Sequence, residues 1–230
     1  MKTYLTNSVF FGAVLSLIAY EAGLLIKKKF KLAILNPLLI ATVCVMAVLL
    51  LFKVEYQYYN EGAKYISYLL TPATVCLAVP LYQQLELLKK NLKAVAGGIS
   101  AGVLASLISV FLLSKLFALS HEQYVTLLPK SITTAIGMGI SEELGGIQTI
   151  TVAVIIVTGI LGNVIAEFVC KLFRIEEPIA KGLALGTASH AIGTAKAMEL
   201  GEIEGAMSSL AIAVAGLLTV IGASVFANLM

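Results

Sequence analysis

The sequence predicts an all-α, polytopic membrane protein with about six full spans plus interrupted or re-entrant segments. Three observations carry that prediction. Apolar residues make up 59% of the chain and charged residues 13%, where a soluble domain carries roughly 25% charged. The apolar runs recur along the whole length, with a mean hydropathy of +0.97. Several runs also hold hydroxyls, glycines and ionisable groups at membrane depth, where such groups are costly and face a bundle interior or a water-filled cavity. Residues 1–230 are read as a single transmembrane domain.

The first span covers about Asn7 to Ile26 and leads into Lys27, Lys28, Lys29 and Lys31, the densest positive run. The second, Leu32–Phe52, opens at Asn36-Pro37, where proline costs no helical hydrogen bond. Lys53–Lys64, rich in tyrosine, reads as an interfacial loop; with no tryptophan in the chain, tyrosine must supply the aromatic belt. Tyr65–Tyr82 is apolar but carries Pro72 and Pro80, each removing a backbone donor, and so predicts a broken helix. Ala94–Phe117 is a plain span. Its Gly97, Gly98, Ala101, Gly102 and Ala105 suit close helix packing, against a neighbour in the same chain or in a homo-oligomer.

Val125–Gly139 is short and hydroxyl-rich, with Lys130 at its head and Gly137 and Gly139 as flexible points. Ile147–Phe173 is a clean span in which Asn163 suits a helix–helix hydrogen bond. Pro178–Gly201 has the length of a span but a polar middle of Thr187, Ser189, His190 and Thr194 among Gly186 and Gly193, which read as helix breaks, with Lys196 beyond. Ile203–Leu229 is the last span.

Charge decides the topology. If Val125–Gly139 and Pro178–Gly201 each enter and leave on one side, ten of the sixteen Lys and Arg residues fall on the cytoplasmic face and both termini lie outside. A faint repeat pairs about 62–118 with 122–174; with this topology the copies are inverted, the arrangement of alternating-access carriers.

The interrupted segments bring a candidate substrate-binding set: Thr74, Lys130, Ser131, Thr133, Thr134, Thr187, Ser189, His190, Thr194 and Lys196. Hydroxyls, two cations and half-helix N-termini together favour a small carboxylate. His190 either moves a proton or donates to an opened backbone carbonyl. Lys130 and Lys196 either bind the solute or snorkel to an interface. Other chemistries have no motif behind them. Cys44, Cys76 and Cys170 are far apart and suit apolar packing; no ligand spacing implies a metal or cofactor. A net charge of +3 leaves no nucleic-acid footprint. No nucleophile elbow, His-Glu-x-x-His or Walker pattern supports an enzyme.

Asn36-Pro37-Leu38-Leu39, Pro72-Ala73-Thr74, Ala78–Tyr82, Leu128-Pro129-Lys130-Ser131-Ile132-Thr133-Thr134, Gly145-Gly146-Ile147 and above all Lys181–Ala195, with its Gly-Thr-Ala-Ser-His core, resemble the bacterial LrgB/CidB (YohK-type) membrane proteins. The carboxyl-terminal half of the chloroplast glycolate/glycerate translocator is related to them, and the resemblance implies a multi-pass protein of the bacterial cytoplasmic membrane. The similarity covers essentially the whole chain; Gly139 departs from a proline expected near that position. The resemblance implies two functions. One is transport of small carboxylates such as pyruvate, glycolate or glycerate. The other is holin- or antiholin-like regulation of murein hydrolase activity and autolysis, often beside an LrgA/CidA-type membrane partner. The residues themselves favour the carrier, because a pore-forming holin needs a self-associating helix face rather than broken helices around hydroxyls.

Overall fold

The computed structural model describes residues 8, 10–30, 35–69, 72, 75–76 and 78–230, excluding the side chains of 78, 80 and 81; every regular element among them is helical. The chain divides into two compact units, Met1–Cys76 and Leu77–Met230.

In the first unit, α1 (Phe11–Phe30) runs through the lysines expected to end it: Lys27, Lys28 and Lys29 occupy its last turn. Positive side chains there complement the partial negative charge of the helix C-terminus. Asn36 caps α2 (Pro37–Leu51), its side chain accepting from Leu38 N–H at 2.8 Å and Leu39 N–H at 3.4 Å, with Pro37 in the first turn. The stretch expected as an interfacial loop is instead a helix, α3 (Tyr56–Ser67). Tyr59, Gly62, Ala63 and Ile66 recur at helical spacing and form its less exposed face. That face meets α1, where Gly12 leaves room for the Tyr59 carbonyl and Ser16 Oγ lies 2.8 Å from Tyr59 Oη. Of the interrupted span expected over Tyr65–Tyr82, Thr71, Ala73 and Thr74 lie outside the described residues. Pro72 is exposed, and Pro80 falls within the short α4 (Ala78–Gln83).

The second unit continues with α5 (Leu85–Lys90), α6 (Leu92–Leu116), α7 (His121–Leu127), α8 (Thr134–Glu143), α9 (Gln148–Leu172), α10 (Pro178–Leu200) and α11 (Glu202–Ala227). Among the described residues, α6, α9 and α11 are long and apolar enough to cross a membrane. The α6 stripe Val95, Ile99, Val103, Leu107 and Val110 packs into one core with Ala206, Ala211, Ala215, Ala223 and Ala227 of α11. Lipid is as apolar as leucine, so small residues that let helices approach closely do more here than burial does. Gly98 and Gly102 work the same way within the chain: a methyl on Gly98 would lie 3.1 Å from Leu183, and one on Gly102 2.7 Å from Thr187 Oγ1, both on α10.

Two helical hairpins fill the space between the spans. Hairpin one is α7, a turn at 128–133, and α8. Its ends are tied together and to the start of α9. Thr126 Oγ1 accepts from Ile147 N–H at 2.8 Å, and Thr151 Oγ1 donates to the Thr126 carbonyl at 2.9 Å and lies 2.7 Å from Ser141 Oγ. Hairpin two is α10 itself, which reverses at His190, the one residue in it with non-helical angles (φ 43°, ψ −135°). A methyl on Gly193 would come within 2.5 Å of the Leu185 carbonyl oxygen. In a straight helix, residues eight apart are separated by about 12 Å along the axis. The first arm, 178–189, runs parallel to α11 through Gly182 beside Glu204 and Gly186 beside Ser208; the second, 191–200, returns against it through Thr194 beside Ser208 and Met198 beside Gly205.

The hairpins enter from opposite ends of the unit. His121 and Tyr124 of hairpin one bond the carbonyls of Met230 and Phe226 at the end of α11. Lys181 and Leu200, at the two ends of hairpin two, share one hollow with Lys171 and Arg174. The order is therefore hairpin then span, twice and in opposite senses, over 121–172 and 178–227. The repeat expected from sequence shares only its second member, 122–174, with this arrangement. The breaks do not fall at the glycines singled out: α8 is continuous through Gly137 and Gly139, and α10 through Gly186 and Gly193. Gly137, Gly186 and Gly193 serve close approach, to Ile155, the Ser208 carbonyl and the Leu185 carbonyl respectively.

Two outcomes follow. With the native cysteines replaced, single cysteines at Lys181 and Glu202 react with an impermeant maleimide from one face, and those at His121 and Glu142 from the other. Segments crossing straight through would put the two members of each pair on opposite faces. Gly162→Ala, whose methyl would collide with Ser189 Oγ, destabilises by about 1–3 kcal/mol in detergent thermal unfolding. Gly139→Ala, with open space around it, is neutral or stabilises by up to about 1 kcal/mol.

Candidate functional site

The tips of the two hairpins come together against the middle of α6 and α9, around a cavity of about 720 Å³. Tip one contributes Lys130 and Ser131; hairpin two contributes Thr187 and Ser189; α6 contributes Ser106 and Ser109 and α9 Thr158, with Gly98, Gly102 and Gly162 opening the wall. Lys130 Nζ donates to Ser131 Oγ at 3.0 Å and lies 3.4 Å from Ser106 Oγ, and the Ser106 hydroxyl donates to Ser131 Oγ at 3.0 Å. Ser109 is turned back onto the Ser106 carbonyl at 2.8 Å, and Thr187 onto the Leu183 carbonyl at 2.8 Å. Among the described residues the lining holds one ammonium, several hydroxyls and no carboxylate. Helix α8 begins just after Ser131, so its partial positive N-terminus adds to the same side of the balance. Such a site can hold a small anion by a charge-assisted bond to Lys130, with hydroxyls to orient a second oxygen.

Of the residues expected from sequence, the structure brings Lys130, Ser131, Thr187 and Ser189 to the cavity wall. The others sit elsewhere. His190 is buried at the reversal, with Nε2 3.0 Å from the Ile155 carbonyl of α9; a carbonyl only accepts, so Nε2 carries the proton. Gly159 makes room for that ring, since a methyl there would lie 2.7 Å from His190 Cε1. Thr194 Oγ1 donates to the His190 carbonyl at 3.0 Å and lies 2.7 Å from Ser208 Oγ. Thr133 holds the N-cap position of α8 without a side-chain cap bond, and Thr134 starts the helix; neither lines the cavity. Lys196 pairs with Glu167 at 2.6 Å and Glu199 at 3.3 Å, tying the second arm of hairpin two to α9. Thr74 lies outside the described residues.

Ser106, Ser109 and Thr158 are absent from the expected set. The signal for the first two is present: 98, 102, 106 and 109 share one helical face, and serines on the glycine face of an apolar span mark a polar wall. Thr158 has no comparable signal, because the four-residue spacing from Thr158 to Gly162 reads equally well as packing. Asn163 does bond across helices, donating to the Ile192 carbonyl at 3.1 Å.

No solved structure matches the chain. A family model described as LrgB-like matches residues 16–229. Two relatives named antiholin-like protein LrgB, from Bacillus cereus (strain B4264) and Bacillus anthracis (strain A0248), are each 41% identical over 217 residues, covering 94% of this chain and 94% of their own. With its model matched over nearly the whole length, and with relatives at this identity, the chain belongs to the LrgB-like family.

Proposed function

We propose that the protein is a secondary carrier of small monocarboxylates, such as pyruvate, glycolate or glycerate, working by alternating access around the two hairpin tips. One observation carries the reading: Lys130 stands among hydroxyls, without a lining carboxylate, where two hairpins from opposite ends meet mid-span. Broken helices around a midplane site, in units of opposite sense, are the architecture of such carriers. The cation-rich end, with Lys171, Arg174 and Lys181, faces the cytoplasm under this proposal. Further copies of the chain and an LrgA-type partner belong to the native assembly.

The names of the relatives favour a second reading, an antiholin-like protein, which the family resemblance extends to regulation of murein hydrolase activity and autolysis. In that case the hairpins are structural and the partner assembly is the functional unit. The two readings part on saturable flux.

In proteoliposomes the carrier shows saturable uptake of at least one labelled acid from a pyruvate, glycolate, glycerate and lactate panel. Lys130→Gln lowers kcat/KM about tenfold or more, as loss of a charged hydrogen bond of about 1.5–3 kcal/mol requires. Lys115→Gln, on an exposed lysine stacked 4.5 Å over the Phe111 ring, leaves uptake at the wild-type rate. Ser106→Ala and Ser131→Ala each cost about 2–10-fold. Size-nonselective dye leakage, with no uptake across the panel in the presence or absence of the partner, would establish the second reading instead.

A further inference from the structure

A second hollow, of about 330 Å³, lies at the cation-rich end of the 77–230 unit. Lys171 and Arg174, from the end of α9, face it together with Lys181, from the first turn of hairpin two; Leu200, the last residue of that hairpin, closes the wall. Two carboxylates also line it. Glu167, which also pairs with Lys196 at 2.6 Å, and Glu176 stand against three cations, so the lining is net positive by one charge. Helix α9 has 25 residues, about 37 Å at 1.5 Å per residue, against a hydrocarbon core of about 30 Å. Its last turn therefore stands at headgroup depth.

The backbone sets where the guanidinium stands, in a helix terminus of the kind that Lys53 and Ala118 also form at the ends of α2 and α6. Arg174 has φ 53°, and Ile175 N–H closes the helix end onto the Cys170 carbonyl at 2.8 Å. Glycine is the usual residue at such a left-handed helix terminus, because a side chain there is strained. Here that position carries a guanidinium on the wall of the hollow.

We infer that the hollow binds a phosphate ester, with the Arg174 guanidinium offering paired donors to two phosphate oxygens and Lys171 and Lys181 acting as point charges. The bound phosphate joins the end of α9 to the base of hairpin two and restrains their relative movement. It is separate from the Lys130 cavity and does not depend on what that cavity carries. An anionic lipid headgroup and a soluble phosphate ester present the same chemistry.

The test uses the full chain in neutral detergent, with dioctanoyl phosphatidylglycerol, glycerol phosphate and phosphate-free dioctanoylglycerol as probes. Native mass spectrometry and titration calorimetry read the binding. The expected result is binding of a phosphate-bearing probe and not of dioctanoylglycerol. Arg174→Gly weakens it about tenfold or more, as does the Lys171→Gln, Lys181→Gln double variant. Arg174→Gly leaves the unliganded melting temperature unchanged or higher, because glycine suits the backbone there, so lost binding is not lost folding. Lys89→Gln with Lys90→Gln, cations outside the hollow, leaves binding intact. Binding of the lipid alone identifies the headgroup as the source; binding of glycerol phosphate, alone or with the lipid, identifies a soluble ester as able to occupy the hollow. Binding of neither, equal binding of dioctanoylglycerol, or unchanged affinity in both hollow variants overturns the assignment.

Discussion

A helix that stops halfway across a bilayer leaves carbonyl and N–H groups with no water to satisfy them, and each unsatisfied group costs several kcal/mol in hydrocarbon. The reversal at His190 is this protein's sharpest case of that constraint. Three side-chain bonds hold it: His190 to the Ile155 carbonyl, Thr194 to the His190 carbonyl and Asn163 to the Ile192 carbonyl. Two of the three tie the tip to α9, where Gly159 and Gly162 let it approach that closely. A non-glycine residue at positive φ costs of order 1–3 kcal/mol and persists only where its surroundings over-determine it. The seat on α9 supplies that determination, and the cavity exists because the tip stops there.

This seat also explains which parts of the fold are legible in the sequence. The re-entrant course of Val125–Gly139 is legible from charge placement, since a straight crossing would part Lys171, Arg174 and Lys181 from the other cation clusters, and that of Pro178–Gly201 from its polar middle. The start of α2 is legible because Asn36-Pro37 is a local signal, and its cap is local too. Helix α3 is hidden by its tyrosines, whose aromatic-belt reading masks a helical spacing of 59, 62, 63 and 66. The site is half legible for a physical reason. Lys130, Ser131, Thr187 and Ser189 stand out as polar residues in breaks, but whether a polar residue in a break faces the cavity or braces the backbone depends on the opposing helix. His190 and Thr194 brace; sequence assigns them the right segment and leaves the direction open.

The family name and the geometry pull in different directions, and the physics of each can be stated. An antiholin-like role asks for a helix surface that associates with a partner; the small residues of α11 are largely spent inside the chain, while α6 keeps Gly97, Ala101 and Ala105 exposed. Opposed hairpins with a cation among hydroxyls cost stability in desolvation and strain, which a purely structural membrane partner has no reason to carry. A metabolite carrier that also influences lysis through its flux or its assembly is compatible with both.

Lys130 lines the cavity beside the middle of α6 and α9, and under the proposed carrier reading that position has an electrical consequence. Moving one elementary charge through the full membrane potential is worth about 2.3 kcal/mol per 100 mV. In that reading an empty site with a protonated Lys130 would carry a net positive charge through the field, while a site holding a monocarboxylate would be neutral. The loaded step of a carrier built this way is blind to voltage, and the return of the empty site, drawn toward the negative side, sets the direction in which the potential drives the cycle.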